Sequence, residues 1–185
     1  MVCLLHLKCM LYKYKNLKYG FVIICADCKI GCIKNTINSI TTLYPTAKTV
    51  AVLADSCKQE DFDDMAKLKP TYRGGKQLSS MINAGMQHSC DDWNFIIMSK
   101  GWLQSRIDIK YSYFIESEKD ILFPIINRKL NFIDADLDGI FIHKKSFADI
   151  GEFIDTESLE VSKTIWSSSA VEKGYKFKGI ITQSF

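Results

Sequence analysis

The chain has 185 residues, of which 47% are hydrophobic and 24% are charged, so it is long enough for one domain with a substantial core. Lys and Arg number 24 against 21 Asp and Glu, and four of the lysines lie within residues 1–18, which hold no acidic residue. The other 20 basic and 21 acidic residues make a nearly neutral body, which argues against a nucleic-acid-binding protein.

Residues 1–18 are predicted to be a basic N-terminal extension rather than an export signal. The apolar stretch at residues 2–7 is shorter than a signal-peptide core, and Lys8 interrupts it. A weak contact of this extension with a membrane surface is the alternative. No later run approaches the roughly 20 apolar residues of a membrane span. We therefore expect a cytoplasmic protein whose domain covers residues 19–185.

Two apolar runs, each followed by a helical pattern, open this domain. Residues 21–25 are continuously apolar, which is typical of a strand that is buried on both faces. Isoleucines then recur at three- and four-residue spacing, which predicts a helix that ends near Pro45. Residues 50–54 predict a second buried strand, and a helix is expected over about 60–69.

The later elements alternate in the same way. They are a helix over about 77–90, strands over 93–98, 120–126 and 139–143, helices over 145–150 and about 157–173, and a strand over 175–182. Residues 105–118 are ambiguous, and Pro124 suggests a sheet edge or a bulge. This alternation predicts the α/β class, with a mostly parallel sheet flanked by helices on both sides. Ligands bind beyond the carboxyl ends of the strands in such sheets.

Five segments of the chain follow one another in a recognisable order. They are the strand and polar loop at 21–29, a strand that ends in Asp55-Ser56, a Gly…Asn-x-Gly stretch at Gly75, Asn83 and Gly85, the strand and helix at 139–151, and an acidic helix before Gly174-Tyr175. Together they resemble the inverting, family-two type of GT-A glycosyltransferase over about residues 19–182. The resemblance implies a single-domain, GT-A-like (nucleotide-diphospho-sugar transferase) fold.

The resemblance also implies that a nucleotide-diphosphate sugar binds where the first two strands end. Asp27, with Ala26 beside it, and Asp55 would face the base and the ribose, because carboxylates accept hydrogen bonds from ring N–H and hydroxyl groups. Both aspartates also suit a turn or a capping role. Lys76, beside two glycines, would bring its ammonium group to the diphosphate; otherwise it is a solvated loop lysine.

The chain departs from the family pattern after the strand at 93–98. The family has a metal-binding Asp-x-Asp there, whereas this chain has Ser99-Lys100-Gly101-Trp102. A lysine cannot ligate Mg²⁺, so no metal ligand is predicted and a Mn²⁺ or Mg²⁺ cofactor is not expected. Lys100 would instead supply positive charge at the diphosphate, or the site would be inactive. Trp102 is a candidate to stack on a sugar ring, although a place in the core is commoner for a tryptophan.

Acidic residues near the second half of the domain supply further candidates. Asp134, Asp136 and Asp138 alternate before Gly139, and the resemblance implies that Asp136 and Asp138 lie near the acceptor or the sugar. The alternating acids also resemble the start of a calcium loop, but Lys145 stands where such a loop needs its last acid. A solvated acidic turn is the simpler interpretation.

An inverting transfer needs a carboxylate that takes a proton from the acceptor hydroxyl. The family draws this base from the acidic start of its last helix, where Glu157 and Glu160 are the candidates and Asp155 competes with them. Acids early in a helix are also simply favourable for its dipole. Trp166, within the same helix, would stack on a sugar or belong to the core.

Cysteines offer a rival interpretation. The chain has seven, which we expect to be reduced thiols. Four thiolates near the first two strand ends could bind zinc or an iron–sulfur cluster, namely those of Cys25, Cys28, Cys32 and Cys57. Zinc sites usually show two close pairs of cysteines, whereas this group has three plus one. Small buried or loop thiols are therefore the simpler prediction.

The leading hypothesis is a glycosyltransferase that moves a sugar from a nucleotide-diphosphate donor to a glycan or another acceptor that the sequence does not identify. The alternative is a non-catalytic GT-A-like module that binds nucleotide, glycan or protein, because the Asp-x-Asp is missing. A nucleotidyltransferase, whose fold is similar, is the third. The sequence contains no Gly-x-Ser-x-Gly, Walker loop or Gly-x-Gly-x-x-Gly motif. It therefore does not support a hydrolase of the nucleophile-elbow type or a Rossmann dinucleotide-binding protein.

Overall fold

The computed structural model describes residues 17–27, 29–99, 106, 111, 114–125, 132–133 and 137–181. In these ranges the strands are β1 (Tyr19–Cys25), β2 (Lys48–Leu53), β3 (Thr71–Arg73), β4 (Trp93–Met98), β5 (Asp120–Ile125), β6 (Ile140–His143) and β7 (Lys176–Ile181). The helices are α1 (Ile30–Leu43), α2 (Gln59–Ala66), α3 (Leu78–His88), α4 (Lys144–Ile150) and α5 (Leu159–Glu172). All of the predicted strands and helices are present, and their described bounds agree with the prediction within three residues.

The strands form one sheet in the order β3-β2-β1-β4-β6-β5-β7. β1 is parallel to β2 and to β4, β2 is parallel to β3, and β5 is parallel to β7. Only β6 runs against its neighbours among the described strands. The predicted mostly parallel α/β fold is therefore confirmed. We call the side of the sheet where β1, β2 and β4 end, at Cys25, Leu53 and Met98, the carboxyl edge.

Helices cover both faces of the sheet. Gly85 of α3 packs so closely that a Cβ there would lie 2.2 Å from Cγ1 of Val22. On the other face, the Phe21 ring stacks on Phe95 and lies 5.1 Å from the ring of Tyr44, the residue that follows α1. Neighbouring residues of a strand point to opposite faces of the sheet. Because Phe21 packs near the end of α1 and Val22 packs on α3, these two helices cover opposite faces.

The centre of the sheet is the core of the domain. Residues 21–25 of β1 are each no more than 1% exposed, as expected for a strand with helices on both faces. Burying one such isoleucine or phenylalanine side chain stabilises the fold by about 1.5–3 kcal/mol.

Trp166 of α5 also belongs to the core, where its ring lies against Phe132, Phe147, Phe153 and Phe177. Its role is therefore packing, and it is not a sugar platform.

Two details of the sheet differ from the sequence prediction. The three-residue strand β3 pairs with the end of β2 and was not predicted, because three residues are too few for a periodic pattern. The expectation that Pro124 marks a sheet edge is wrong, since β5 lies between β6 and β7. β6 begins at Ile140, and its next residue, Phe141, pairs with Leu122 of the antiparallel strand β5. Pro124, two residues after Leu122, therefore lies beyond the segment of β5 that pairs with β6.

The cysteines also differ from expectation. Cys57 is disulfide-bonded, so the prediction that all the thiols are reduced is wrong for this residue. Cys25, Cys32 and Cys90 are not disulfide-bonded. The bond removes Cys57 from the set of four thiolates considered as a metal site, and Cys28 lies outside the described residues.

The basic extension lies almost entirely outside the described residues, which begin at Leu17. Its predicted membrane contact therefore stays a prediction. Across the described ranges, no helix is both long and apolar enough to cross a lipid bilayer.

Candidate functional site at the carboxyl edge

The strand order reverses direction at β1. The chain passes from β1 outward to β2 and β3, and then returns to place β4 on the other side of β1. Backbone bonds continue the pairing beyond both neighbours: Ala54 N–H donates to Cys25 O at 3.1 Å, and Ser99 N–H donates to Ile24 O at 2.8 Å. In open α/β sheets the crevice at such a reversal is where ligands bind. The carboxyl edge around β1 is therefore the candidate site.

Ala26 and Asp27 follow β1 at this edge, and both are exposed. The carboxylate of Asp27 accepts a hydrogen bond from the backbone N–H of Lys29 at 3.4 Å. It also pairs with the Lys29 ammonium group at 3.6 Å. Asp27 thus has the turn role that the sequence allowed, and it remains open to solvent at the switch point. Its nucleotide-binding role stays a prediction.

Asp55 leaves the neighbouring strand at the same edge. β1 and β2 pair Cys25 with Leu53, so the residues that follow each strand start side by side. Asp55 is exposed, and its Oδ1 accepts the N–H of Gly75 at 3.2 Å. Lys76, also exposed, comes directly after Gly75 and before α3. The structure therefore brings Asp55 and the start of the Lys76 loop together.

Arg73, at the end of β3, is a site-supporting residue that the sequence prediction missed. Its Nη1 donates to the carbonyl oxygens of Ala54 and Cys57 at 3.2 and 2.7 Å, and Nη2 donates to Oε1 of Gln59 at 3.2 Å. The guanidinium group also lies 4.8 Å from the centre of the Phe62 ring. Arg73 was not among the residues predicted for the site, and no local sequence pattern indicates these partners.

Asp138 lies at the carboxyl edge beside β4, because β6 runs against β4. Its Oδ1 accepts the N–H of Met98 at 2.8 Å. Tyr111, whose hydroxyl donates to Gly139 O at 2.9 Å, is buried next to it. Burial raises the pKa of the Tyr111 hydroxyl, and the charge of Asp138 raises it further. Tyr111 therefore stays a protonated donor, and Asp138 is held at the end of the strand that would carry Asp-x-Asp in the resembled family.

The start of α5 faces the same edge. Ser158 caps the helix by accepting the N–H of Val161 at 3.2 Å, with Glu157 just before it and Glu160 in the first turn. Asp155 accepts a hydrogen bond from the hydroxyl of Ser79, the second residue of α3. Because α3 begins shortly after β3 ends, this contact puts the segment before α5 at the carboxyl edge. Whether Glu157 or Glu160 acts as a base stays a prediction.

The segment before α5 is fixed by α3. Asn83 Nδ2 donates to Phe153 O at 2.8 Å, and Phe153 N–H donates to Asn83 Oδ1 at 2.9 Å. Trp166 Nε1 donates to Gly151 O at 2.8 Å. Asn83 and Gly85, two residues that carry the family resemblance, thus have structural roles here: one holds this segment and the other lets α3 approach the sheet.

Three predicted site residues lie outside the described residues, namely Lys100, Trp102 and Asp136. Within the described ranges, no three His, Cys, Asp or Glu side chains are grouped to hold a metal ion. One oxygen of Asp55 and one of Asp138 accept backbone N–H groups, from Gly75 and Met98.

Comparison with known proteins shows similarity at the level of structure. No protein-family model matches the sequence, and no curated protein does either. Residues 1–349 of S. aureus TarS are similar with a TM-score of 0.61 at 11% identity, over 91% of this chain and 59% of that one. A cytidylyltransferase from Leptospira borgpetersenii serovar Hardjo-bovis has a TM-score of 0.63 at 12% identity, over 91% and 77% of the two chains.

A CMP:2-keto-3-deoxy-manno-octonic acid synthetase, solved with CTP, has a TM-score of 0.60 at 6% identity over 90% of both chains. TarS has also been solved with UDP-GlcNAc and with UDP. The chain spans about three fifths of the TarS fragment. It therefore has the nucleotide-diphospho-sugar transferase-like fold of these proteins. Because TarS, a cytidylyltransferase and a CTP-bound synthetase have similar TM-scores, membership of the family-two glycosyltransferases stays a prediction.

Proposed function

We propose that the chain binds a nucleotide-diphosphate sugar at the carboxyl edge and transfers its sugar to an acceptor. The observation that carries the proposal is the exit of Asp27 and Asp55 from the adjacent parallel strands β1 and β2, where the strand order reverses. Both residues are exposed there. Each carboxylate has acceptor sites beyond its contact with Lys29 or Gly75, so it can also accept a hydrogen bond from a base or a ribose.

The remaining groups at this edge suit the other parts of such a donor. Lys76, beside the Asp55 loop, would bring a positive charge to the diphosphate, as Lys100 would from the position after β4. Asp138 and Asp136 would face the sugar or the acceptor, with Trp102 stacking on a sugar ring. TarS, which has been solved with UDP-GlcNAc, shares the fold and supports a donor of this class.

The reaction would be an inverting displacement. The acceptor hydroxyl attacks the anomeric carbon of the sugar, the bond from that carbon to the diphosphate breaks, and the nucleoside diphosphate leaves. A carboxylate at the start of α5, Glu157 or Glu160, takes the hydroxyl proton. Both residues are exposed, so a bulky acceptor can reach them.

A nucleotidyltransferase is the second candidate. It is favoured by the cytidylyltransferase and the CTP-bound synthetase, whose TM-scores equal that of TarS within 0.02. Such an enzyme would take a nucleoside triphosphate in the same crevice and release pyrophosphate. The non-catalytic module remains the outcome if a nucleotide binds without turnover.

Titration calorimetry against UDP-GlcNAc, UDP and CTP tests the proposal. We expect D55N and D27N each to weaken nucleotide binding by about tenfold or more, the equivalent of one charged hydrogen bond. D92N is the matched control, because Asp92 is exposed just before β4, at the opposite end of the strands. Unchanged binding in both D55N and D27N, or no binding by the wild type, would overturn the proposal.

Release of nucleotide from the bound donor tests the chemistry. E157Q and E160Q should differ, with a large loss of turnover in one of them and unchanged donor affinity. E172Q, at the far end of α5, is the control. Release of pyrophosphate from CTP, with no sugar transfer, would favour the nucleotidyltransferase instead.

A further inference from the structure

The guanidinium group of Arg73 lies under the loop that carries Asp55. Nη1 points at the carbonyl oxygens of Ala54 and Cys57, which flank Asp55 in the chain. The peptide oxygen of Asp55 itself lies 3.5 Å from the same nitrogen. The loop after β2 is therefore wrapped around one charged group that comes from a different strand.

The guanidinium group is itself held on its other sides. Nη2 is bonded to Gln59, the first residue of α2, and the plane of the group is near the Phe62 ring one turn later. Arg is suited to this place because its planar fork offers several donors in a fixed geometry. A lysine ammonium group has no such fork, so it would not reproduce the paired contacts to Ala54 and Gln59.

The neighbouring glycines join the same two loops through their backbones. Gly74 N–H donates to Leu53 O at 3.0 Å, and Asp55 N–H donates to Gly75 O at 3.0 Å. Gly75 N–H in turn donates to the Asp55 carboxylate. The orientation of this carboxylate thus depends on how the loops after β2 and β3 lie against each other. Arg73 adds side-chain contacts between them, to the carbonyl oxygens of Ala54 and Cys57.

We propose that Arg73 is a positioning residue for nucleotide binding, which holds the Asp55 carboxylate in its binding orientation without touching the nucleotide. This inference rests on the proposed function, since it takes Asp55 as a nucleotide ligand. Its consequence is specific: the contribution of Arg73 to affinity passes through Asp55 alone.

A double-mutant cycle on nucleotide affinity tests this consequence. R73Q should weaken binding of the preferred nucleotide by about fivefold or more, and R73K should restore little of the loss. In the D55N background, R73Q should cause no further loss, because residues that act through one group are not additive. R106Q is the matched control: like Arg73, Arg106 has a side-chain acceptor and an aromatic ring as partners, but these are the Tyr19 hydroxyl and the Tyr44 ring, and Tyr19 is the first residue of β1.

A measurement without nucleotide separates this inference from the proposed function. The backbone amide signal of Gly75 in an NMR spectrum should move in R73Q in the direction that it moves in D55N, and it should stay unchanged in R106Q. An unmoved signal, or equal losses of affinity from R73Q in the wild-type and D55N backgrounds, would overturn the inference and leave the proposed function standing. A wild type that binds no nucleotide would overturn both.

Discussion

Asp55 and Gly75 hold each other through two hydrogen bonds, although 20 positions separate them in the chain. Asp55 N–H donates to Gly75 O at 3.0 Å, and Gly75 N–H donates to Asp55 Oδ1 at 3.2 Å. The pair joins the loop after β2 to the loop before α3. A carboxylate that is already fixed loses less freedom when a ligand binds, so under the proposed function this pair would lower the entropic cost of binding a nucleotide.

Replacing Gly75 with alanine should disturb this pair. Gly75 has φ +84°, a conformation that costs other residues about 1–2 kcal/mol, and a Cβ there would lie 3.0 Å from Oγ of Ser80. We expect G75A to lower the free energy of unfolding in urea by that amount and to weaken nucleotide binding. G174A is the control, since Gly174 has φ +79° but lies at the end of α5. Equal nucleotide affinity in the two variants would contradict the prediction.

Replacing Gly85 with alanine should destabilise the fold itself. The added Cβ would lie 2.2 Å from Val22 Cγ1, so α3 would have to move away from the sheet. Overpacking of this kind costs about 1–3 kcal/mol, which urea unfolding will measure. Gly31 in α1 is the control, because a Cβ there would meet nothing within 4 Å. G31A should instead stabilise the protein by about 0.4–1 kcal/mol.

Two variants of Asn83 should separate its two hydrogen bonds with Phe153. N83A removes both bonds and should lower the free energy of unfolding by about 1–3 kcal/mol, because the backbone of Phe153 loses its partners. N83D keeps the acceptor for Phe153 N–H and should be less damaging at neutral pH. If N83D is as unstable as N83A, the bond to Phe153 O is the one that matters. Equal stability of N83A and the wild type would contradict the structure of this contact.

His143 should make the fold sensitive to mild acid. Burial lowers the pKa of His143 below its ordinary value of about 6.5; the negative charges of Glu118 and Asp92 raise it in part, and Lys145 lowers it. The unfolded chain therefore binds a proton at a pH at which the folded chain does not. Stability is complete above about pH 6.5 and falls as the pH drops through the range between the unfolded and folded pKa.

Thermal unfolding between pH 7.5 and 5 checks this dependence, with the pH range set by the ordinary pKa of histidine. The fall in Tm on acidification should be smaller in H143Q than in the wild type. H88Q is the control substitution, since His88 is exposed on α3, where it stacks on Tyr72. Parallel Tm profiles for the wild type and H143Q would contradict the prediction.

The candidate site was partly predictable from local sequence. Asp27 and Asp55 follow apolar runs, and the carboxyl ends of parallel strands share one edge, so their common location followed from the strand pattern. The contacts that support the site, by contrast, could not be predicted from the strand pattern. Arg73 reaches Cys57 across 16 positions, and Asn83 reaches Phe153 across 70, and nothing in either local sequence indicates such a partner.

The family resemblance singled out residues for nucleotide-sugar binding that have packing roles in the structure. Gly85 was matched as part of a nucleotide-sugar pattern, and its close approach to Val22 shows that it serves packing. Trp166, weighed as a sugar platform, is buried among aromatic rings and bonded to Gly151. A sequence motif records that a residue type is needed, and only the neighbours in space show what it is needed for.

The amino-acid sequence by itself determined the alternation of strands and helices, because apolar runs and helical periodicity are properties of neighbouring residues. The tertiary structure alone decided the strand order, the reversed direction of β6 and the contacts of Arg73 with the Asp55 loop. These features depend on how segments far apart in the chain pack against one another. Such packing depends on how all the core side chains fit together, so it cannot be predicted from the sequence of any single segment.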